Sequence, residues 1–225
     1  NAGSDDDRCD PQTVLDFWFG DGALDDPDYV AARIDVWFKT DFDFDTEVRL
    51  RFESLVTQAR AGGCREWLDD PRAAVALVIV LDQMPRNIYR GKPAAFASDA
   101  AAREVSEHVL GSSAAVARLS LIERVFLYMP FEHAEDPALQ DYCVAGYRGL
   151  HEAAPPAFKA LMITCVEAGE AHREVIRRFG RFPHRNPILG RESTPEELAW
   201  AKGHHGWGQG ATVLERQAES GKGKS

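Results

Sequence analysis

Cysteine is scarce in this chain. The four residues, at positions 9, 64, 143 and 165 of 225, are widely spaced and form no CxxC pair. That spacing excludes zinc-ribbon and thioredoxin-type motifs. A chain of this length can bury a large core without disulfide staples, so free thiols in a reducing cytoplasm are expected. Long apolar runs are also missing. The longest, AAVALVIVL at 73–81, is about half of the ~20 residues that a membrane-spanning helix requires, so no membrane span is expected. The start, NAGSDDDRCD, has no basic segment followed by an apolar one, and no secretory signal is expected from it. Positive charge is in deficit, with 26 Lys and Arg against 36 Asp and Glu and a net charge of -10. Such a balance argues against general affinity for nucleic acid or for an acidic membrane. The sequence contains no Gly-rich phosphate loop, GxSxG elbow, HExxH pair or kinase-type set. Neither a metal site nor a cofactor is expected.

Helix starts, by contrast, are plain. Asp10-Pro11, Asp26-Pro27, Asp70-Pro71, Asp136-Pro137 and Thr194-Pro195 each place an N-cap residue before a proline at the first helical position. Ser120 and Glu123 have the spacing of a capping box. With further helices near 43–60 and 98–110 and a long one over about 156–180, the pattern predicts an all-α fold. About nine helices follow one another in antiparallel helix-turn-helix succession. The β-branched run at 73–81 would also suit a buried strand, but its Asp-Pro start and helical neighbours favour a central helix that is apolar on every side. Residues 1–10 read as a tail, 11–201 as a single helical domain and 202–225 as an extension over the surface. Phe17, Trp18, Phe19, Trp37 and Phe38 read as core.

Three polar breaks interrupt this pattern. LDQMPRNIYRG at 81–91 ends the apolar run, LYMPFEHAED occupies 127–136, and FGRFPHRNPILGR spans 179–191. In an up-and-down arrangement the helices before these breaks have equal parity, so their C-terminal ends lie on one side and the breaks converge. Arg86, Asn87, Arg181, Arg185 and Asn186 would supply most of the donors for a ligand there, with Asp82 and Gln83 beside them. Arginine's planar fork suits carboxylate or phosphate. From His172 to Arg191 six arginines stand against one acid, Glu174, which suggests a local positive field. His133 and His184, oriented by Glu132 or Asp82, would be the catalytic set for acid-base chemistry. His172 falls at helical spacing with Val175, Ile176 and Phe179 and reads as bordering the core. The cysteines have no neighbouring base in sequence, which argues against a thiol nucleophile. His204 and His205 lie in a Gly-rich tail suited to adventitious metal binding.

VLDFWFG at 14–20, WF at 37–38, LDQMPRNIYRG with AFASD at 95–99, FLYMPFEHAED at 126–136 and RFGRFPHRNPILGRESTPEE at 178–197 together resemble the bacterial domain of unknown function 924. The match covers about residues 11–200. It departs from the family pattern at Met84, where the family usually has Phe, and at Ala134, where it usually has Ser. The resemblance implies an all-helical fold of the tetratricopeptide-like superfamily and carries no established activity. Three functions follow as expectations. One is a cytoplasmic module binding a small anionic molecule or an acidic peptide. Another is a hydrolase or lyase acting on a small anion with a histidine acid or base. The third is a scaffold for a protein partner, in which the polar cluster only locks helix ends together.

Overall fold

Aspartate followed by proline starts the helices as the sequence suggests. At Asp10, Asp26, Asp70 and Asp136 the capping residue is extended, and its carboxylate accepts the N–H groups two and three residues on. The proline after it presets φ at a position where no intrahelical donor is needed. Ser120 and Thr194 form capping boxes with Glu123 and Glu197. The computed structural model describes residues 10–204 and 206–209. Among these it is all-helical, with no strand.

The helices are α1 (Pro11–Phe19), α2 (Pro27–Phe38), α3 (Phe42–Arg60), α4 (Pro71–Val78), α5 (Met84–Ile88), α6 (Asp99–Leu110), α7 (Ser113–Ala117), α8 (Leu121–Glu132), α9 (Pro137–Ala153), α10 (Lys159–Phe179), α11 (Asn186–Leu189) and α12 (Pro195–Ala201). All nine expected helices are among them. The others, α5, α7 and α11, have only four or five residues each. No helix of the described residues is long and apolar enough to cross a membrane.

The run from Ala73 to Leu81 lies at the centre, buried at every residue. Helices α1, α6 and α8 pack against α4, and α3 packs against α5. The rod does not stop at the polar turn, as the sequence suggested. Residues 79–83 widen into a π turn in which the Met84 N–H returns to the Ile79 carbonyl, and α5 carries the helix on. Pro85 explains the widening, because proline has no N–H to donate four residues back to Leu81 and its ring crowds that carbonyl. Side chains meet the carbonyls left over. The Ser98 hydroxyl donates to the Leu81 carbonyl at 2.7 Å, and Arg86 Nη1 donates to that of Asp82 at 2.6 Å. The proline thus explains both the turn and the need for polar groups around it.

Helix α8 carries Pro130 in its last turn. Its C-terminal carbonyls are closed by the wholly buried Gln140 of α9, whose Nε2 donates to Glu132 at 2.6 Å and to Ala134 at 2.8 Å. Gly180, at φ 70°, ends α10 in the left-handed conformation that glycine adopts without strain. The chain then turns back, and Phe182 joins Val175 and Ile176 in a second small core with Phe179, Trp200 and Trp207 packed against it.

Helices α8 and α9 approach closely at Gly146, where an added Cβ would lie 2.2 Å from the Tyr128 ring. That ring is itself held among Phe131, Tyr142 and Tyr147. Gly146→Ala is therefore expected to lower unfolding free energy by roughly 1–3 kcal/mol. Gly149→Ala lies on the same helix, where an added Cβ meets nothing within 4 Å, and should raise it by up to ~1 kcal/mol. Urea denaturation of the two variants checks both signs.

Candidate functional site

Asp82 sits on the π turn and is fully buried. Its Oδ1 lies 2.9 Å from His133 Nδ1 and 3.2 Å from Arg86 Nη1, and its Oδ2 accepts from Gln83 Nε2 at 2.6 Å. Burial pushes the Asp82 carboxyl up, but the charges of Arg86 and His133 and these hydrogen bonds outweigh it and hold the group below the usual carboxylate range. An ionised carboxylate only accepts, so the His133 proton is on Nδ1, and in the neutral ring Nε2 is left as the base. Arg86 turns its fork onto Asp99 of α6, with bonds of 2.9 and 3.0 Å.

A second carboxylate and imidazole lie beside the first. Glu132, next to His133 at the end of α8, accepts from Tyr147 Oη at 2.7 Å, and its Oε1 lies 2.9 Å from His172 Nδ1. The same nitrogen lies 2.8 Å from the Ala168 carbonyl. Burial raises the Glu132 carboxyl, but His172, His133 and the Tyr147 hydrogen bond together outweigh it and hold the group below its ordinary value. The His133 and His172 rings are 6.4 Å apart between centroids. Trp207 stacks on His172 at 3.8 Å. The stacked segment is tied down on both sides of the cleft floor, with Arg90 Nη1 donating to the Gly208 carbonyl at 2.8 Å and Gln209 Nε2 to the Arg86 carbonyl at 3.0 Å.

Glu132, His133, Tyr147, His172 and Trp207 border a cleft of about 370 Å³ between the end of α2, α5, α8, α9, α10 and residues 207–209. Ile34, Phe38, Val125, Met129 and Leu161 give it apolar walls, and Gln83, Arg86, Asn87, Glu132, His133 and His172 give it a polar end. Cys165 also borders it. Burial, and after it the Glu132 charge, pushes this thiol up to about 12, so it stays protonated and is a poor nucleophile.

The three polar breaks meet in space, with Asp82 and Arg86 from the first, Glu132 and His133 from the second, and His184 and Arg185 from the third. Not every residue expected there takes part. Asn87 borders the cleft, but its amide donates to Asp45 at 2.8 Å, and Arg90 holds the same carboxylate with two bonds. Arg181 and Asn186 turn away from the cleft onto Glu197 of α12. His184 is not oriented by Glu132 or Asp82. It is buried beside Phe182, Trp207 and Trp200, and its Nδ1 has no hydrogen-bond partner among the described residues. Burial, with the neighbouring Arg185 charge second, lowers its pKa to about 2.

The positive field read from the third break is largely neutralised. Arg173 and Arg177 meet Asp141, Arg178 meets Glu196, Arg181 meets Glu197 and Arg191 meets Glu135. Arg185 is the least satisfied. It is packed between the Phe96 and Phe182 rings at 4.5 Å each, 3.7 Å from an Asp99 that Arg86 already holds.

Residues missing from the sequence reading are Asp99, Tyr147, His172 as a carboxylate partner, and Trp207 to Gln209. The extension expected to lie over the surface from 202 onward instead puts Gly206 and Gln209 into buried positions. His205 and residues 210–225 lie outside the described residues, as do residues 1–9 with Cys9.

Comparison with known proteins matches this architecture to a defined group. The chain belongs to the family of bacterial proteins of unknown function designated DUF924, whose model matches residues 14–204. It is similar to the solved structure of a protein of unknown function from Agrobacterium tumefaciens, with 32% identity and a TM-score of 0.71. That match covers 86% of this chain and 97% of the other. A search of curated proteins found no match.

The low pKa of His184 sets a pH dependence of stability. In the unfolded chain it takes up a proton as pH falls through its ordinary 6.5, whereas the folded protein resists until about 2. Stability from this group is complete above pH 6.5 and is lost below it, by roughly 1.4 kcal/mol per pH unit. Glu197, which Arg181 holds at about 2, adds a loss in the same direction below its ordinary 4.5. Thermal melts between pH 8 and 4 should fall from pH 6.5 downward, and His184→Phe should delay the fall to about pH 5.

Proposed function

We propose that the cleft performs acid-base chemistry, as a hydrolase or lyase, on a small molecule with an apolar body and a polar, anionic end. The observation that carries this reading is the His133 ring, whose Nδ1 lies 2.9 Å from the buried Asp82 carboxylate while the ring borders the cleft. A base must keep one ring nitrogen fixed so that the other is aimed at substrate, and a buried carboxylate on Nδ1 does this. Asp82 is the positioning residue and His133 the acid or base. Tyr147, Glu132 and His172 line the same polar end and can orient a substrate carbonyl or hydroxyl.

Simple anion binding through the predicted donors has less support. The forks of Arg86 and Arg181 are already closed on Asp99 and Glu197, and the amides of Asn87 and Asn186 on Asp45 and Glu197. A scaffold accounts for those internal ion pairs but gives no role to an open cleft that contains a carboxylate-held histidine.

The test is a hydrolysis and elimination screen over small esters, thioesters, amides and phosphoesters with apolar substituents, run on wild type, His133→Gln and Asp82→Asn. His133→Gln should lower kcat/KM by about 10²–10⁴-fold. Asp82→Asn should lower kcat with little change in KM. Turnover that survives replacement of both His133 and His172 would overturn the assignment. Thermal stabilisation by these compounds without any turnover would favour binding alone.

A further inference from the structure

A second, smaller cavity of about 50 Å³ adjoins the apolar cleft. It shares Arg86, His133, His172, Trp207 and Gln209 with that cleft and is closed by Phe96, His184, Arg185 and Gly206. No carboxylate lines it. Its fixed charges are the two guanidinium groups of Arg86 and Arg185. Asp82 and Asp99 hold Arg86 from behind this lining. Three side chains that border it are more than nine-tenths buried and keep an unused polar atom, one of them Gln209 with its Oε1 acceptor. Arg185 Nε and His184 Nδ1 have no hydrogen-bond partner among the described residues. A guanidinium N–H left unpaired in a protein interior costs free energy. The two phenyl rings across Arg185 leave only the edge of the guanidinium to be satisfied.

We infer that this cavity is a site for a small monovalent anion, a halide or a single carboxylate group, held by Arg185 Nε and the His184 ring. Burial weakens the charged form of Arg185, whose pKa is lowered to about 10, with the Arg86 charge adding to the effect and Asp99 offsetting only part of it. An anion in the cavity would relieve both. Because His133 borders both cavities, a carboxylate placed here would belong to a molecule whose body lies in the larger cleft, next to the Asp82-held ring. That second source rests on the function proposed above, whereas a halide does not.

The test needs no turnover, so its outcome stands whether or not the enzymatic reading does. Wild-type protein in isethionate buffer is titrated with bromide while melting temperature is followed, and bromide-soaked crystals are measured at the bromine absorption edge. The expected result is an anomalous peak within hydrogen-bond distance of Arg185 Nε, with bromide dissociation raised at least about tenfold in Arg185→Gln. Titration with acetate and hexanoate separates the sources. Hexanoate binding about tenfold or more tighter than acetate identifies the end of a substrate with an apolar body, and equal affinities identify a resident ion. Water alone in the cavity of bromide-soaked crystals would overturn the inference, as would bromide binding unchanged in a folded Arg185→Gln. Should that variant fail to fold, the peak in wild-type crystals decides.

Discussion

One buried carboxylate, Asp82, organises the middle of this molecule. A carboxylate removed from water costs several kcal/mol unless charge and hydrogen bonds replace its hydration, and three neighbours do so here. Gln83 comes from the same turn, Arg86 from the next, and His133 from the end of α8. Arg86 extends the set to Asp99 at the start of α6. The turn therefore ties three helices through one set of charges. Removing any one partner would leave another buried and uncompensated, a change that typically costs 3–5 kcal/mol.

The proline behind this arrangement has two effects. Pro85 withholds a hydrogen bond, the helix widens, and Leu81 and Asp82 expose carbonyls that Ser98 and Arg86 must meet. A polar side chain is thereby drawn into an otherwise apolar rod. The Asp82 side chain, carried on the same turn, then faces the end of α8 rather than the core. At the end of α8 the cause is the helix terminus itself, whose open carbonyls are met by Gln140, and Glu132 and His133 stand side by side at the rim of the cleft.

Much of the scaffold was legible in the sequence because caps are local. An aspartate two residues before the N–H it accepts is visible in a short string, and the polar breaks stood out against apolar runs for the same reason. Their meeting followed from counting helices. Partner choice was not legible, because it depends on contacts far apart in the chain. The arginines between 173 and 191 read as a positive patch until Asp141, Glu196, Glu197 and Glu135 arrived from α9, α12 and the loop after α8. His172 had the spacing of a core residue and is indeed buried, yet it also faces Glu132 from another helix. Asp99 stood in a recognised motif, AFASD, with nothing nearby to show that Arg86 would reach it.

The contacts of Gly208 and Gln209 join residues 118 and 123 positions apart, whereas the main helix pairs of the scaffold, α1 with α4 and α4 with α8 among them, lie nearer in the chain. Contacts of long sequence separation are the slow ones in folding, and synthesis delivers the N-terminal helices first. The helical frame can be complete while the floor of the cleft is still missing. The polar end of the cleft would then be the last part of the protein to become a chemical environment, assembled only when the chain returns to cover the histidine on α10.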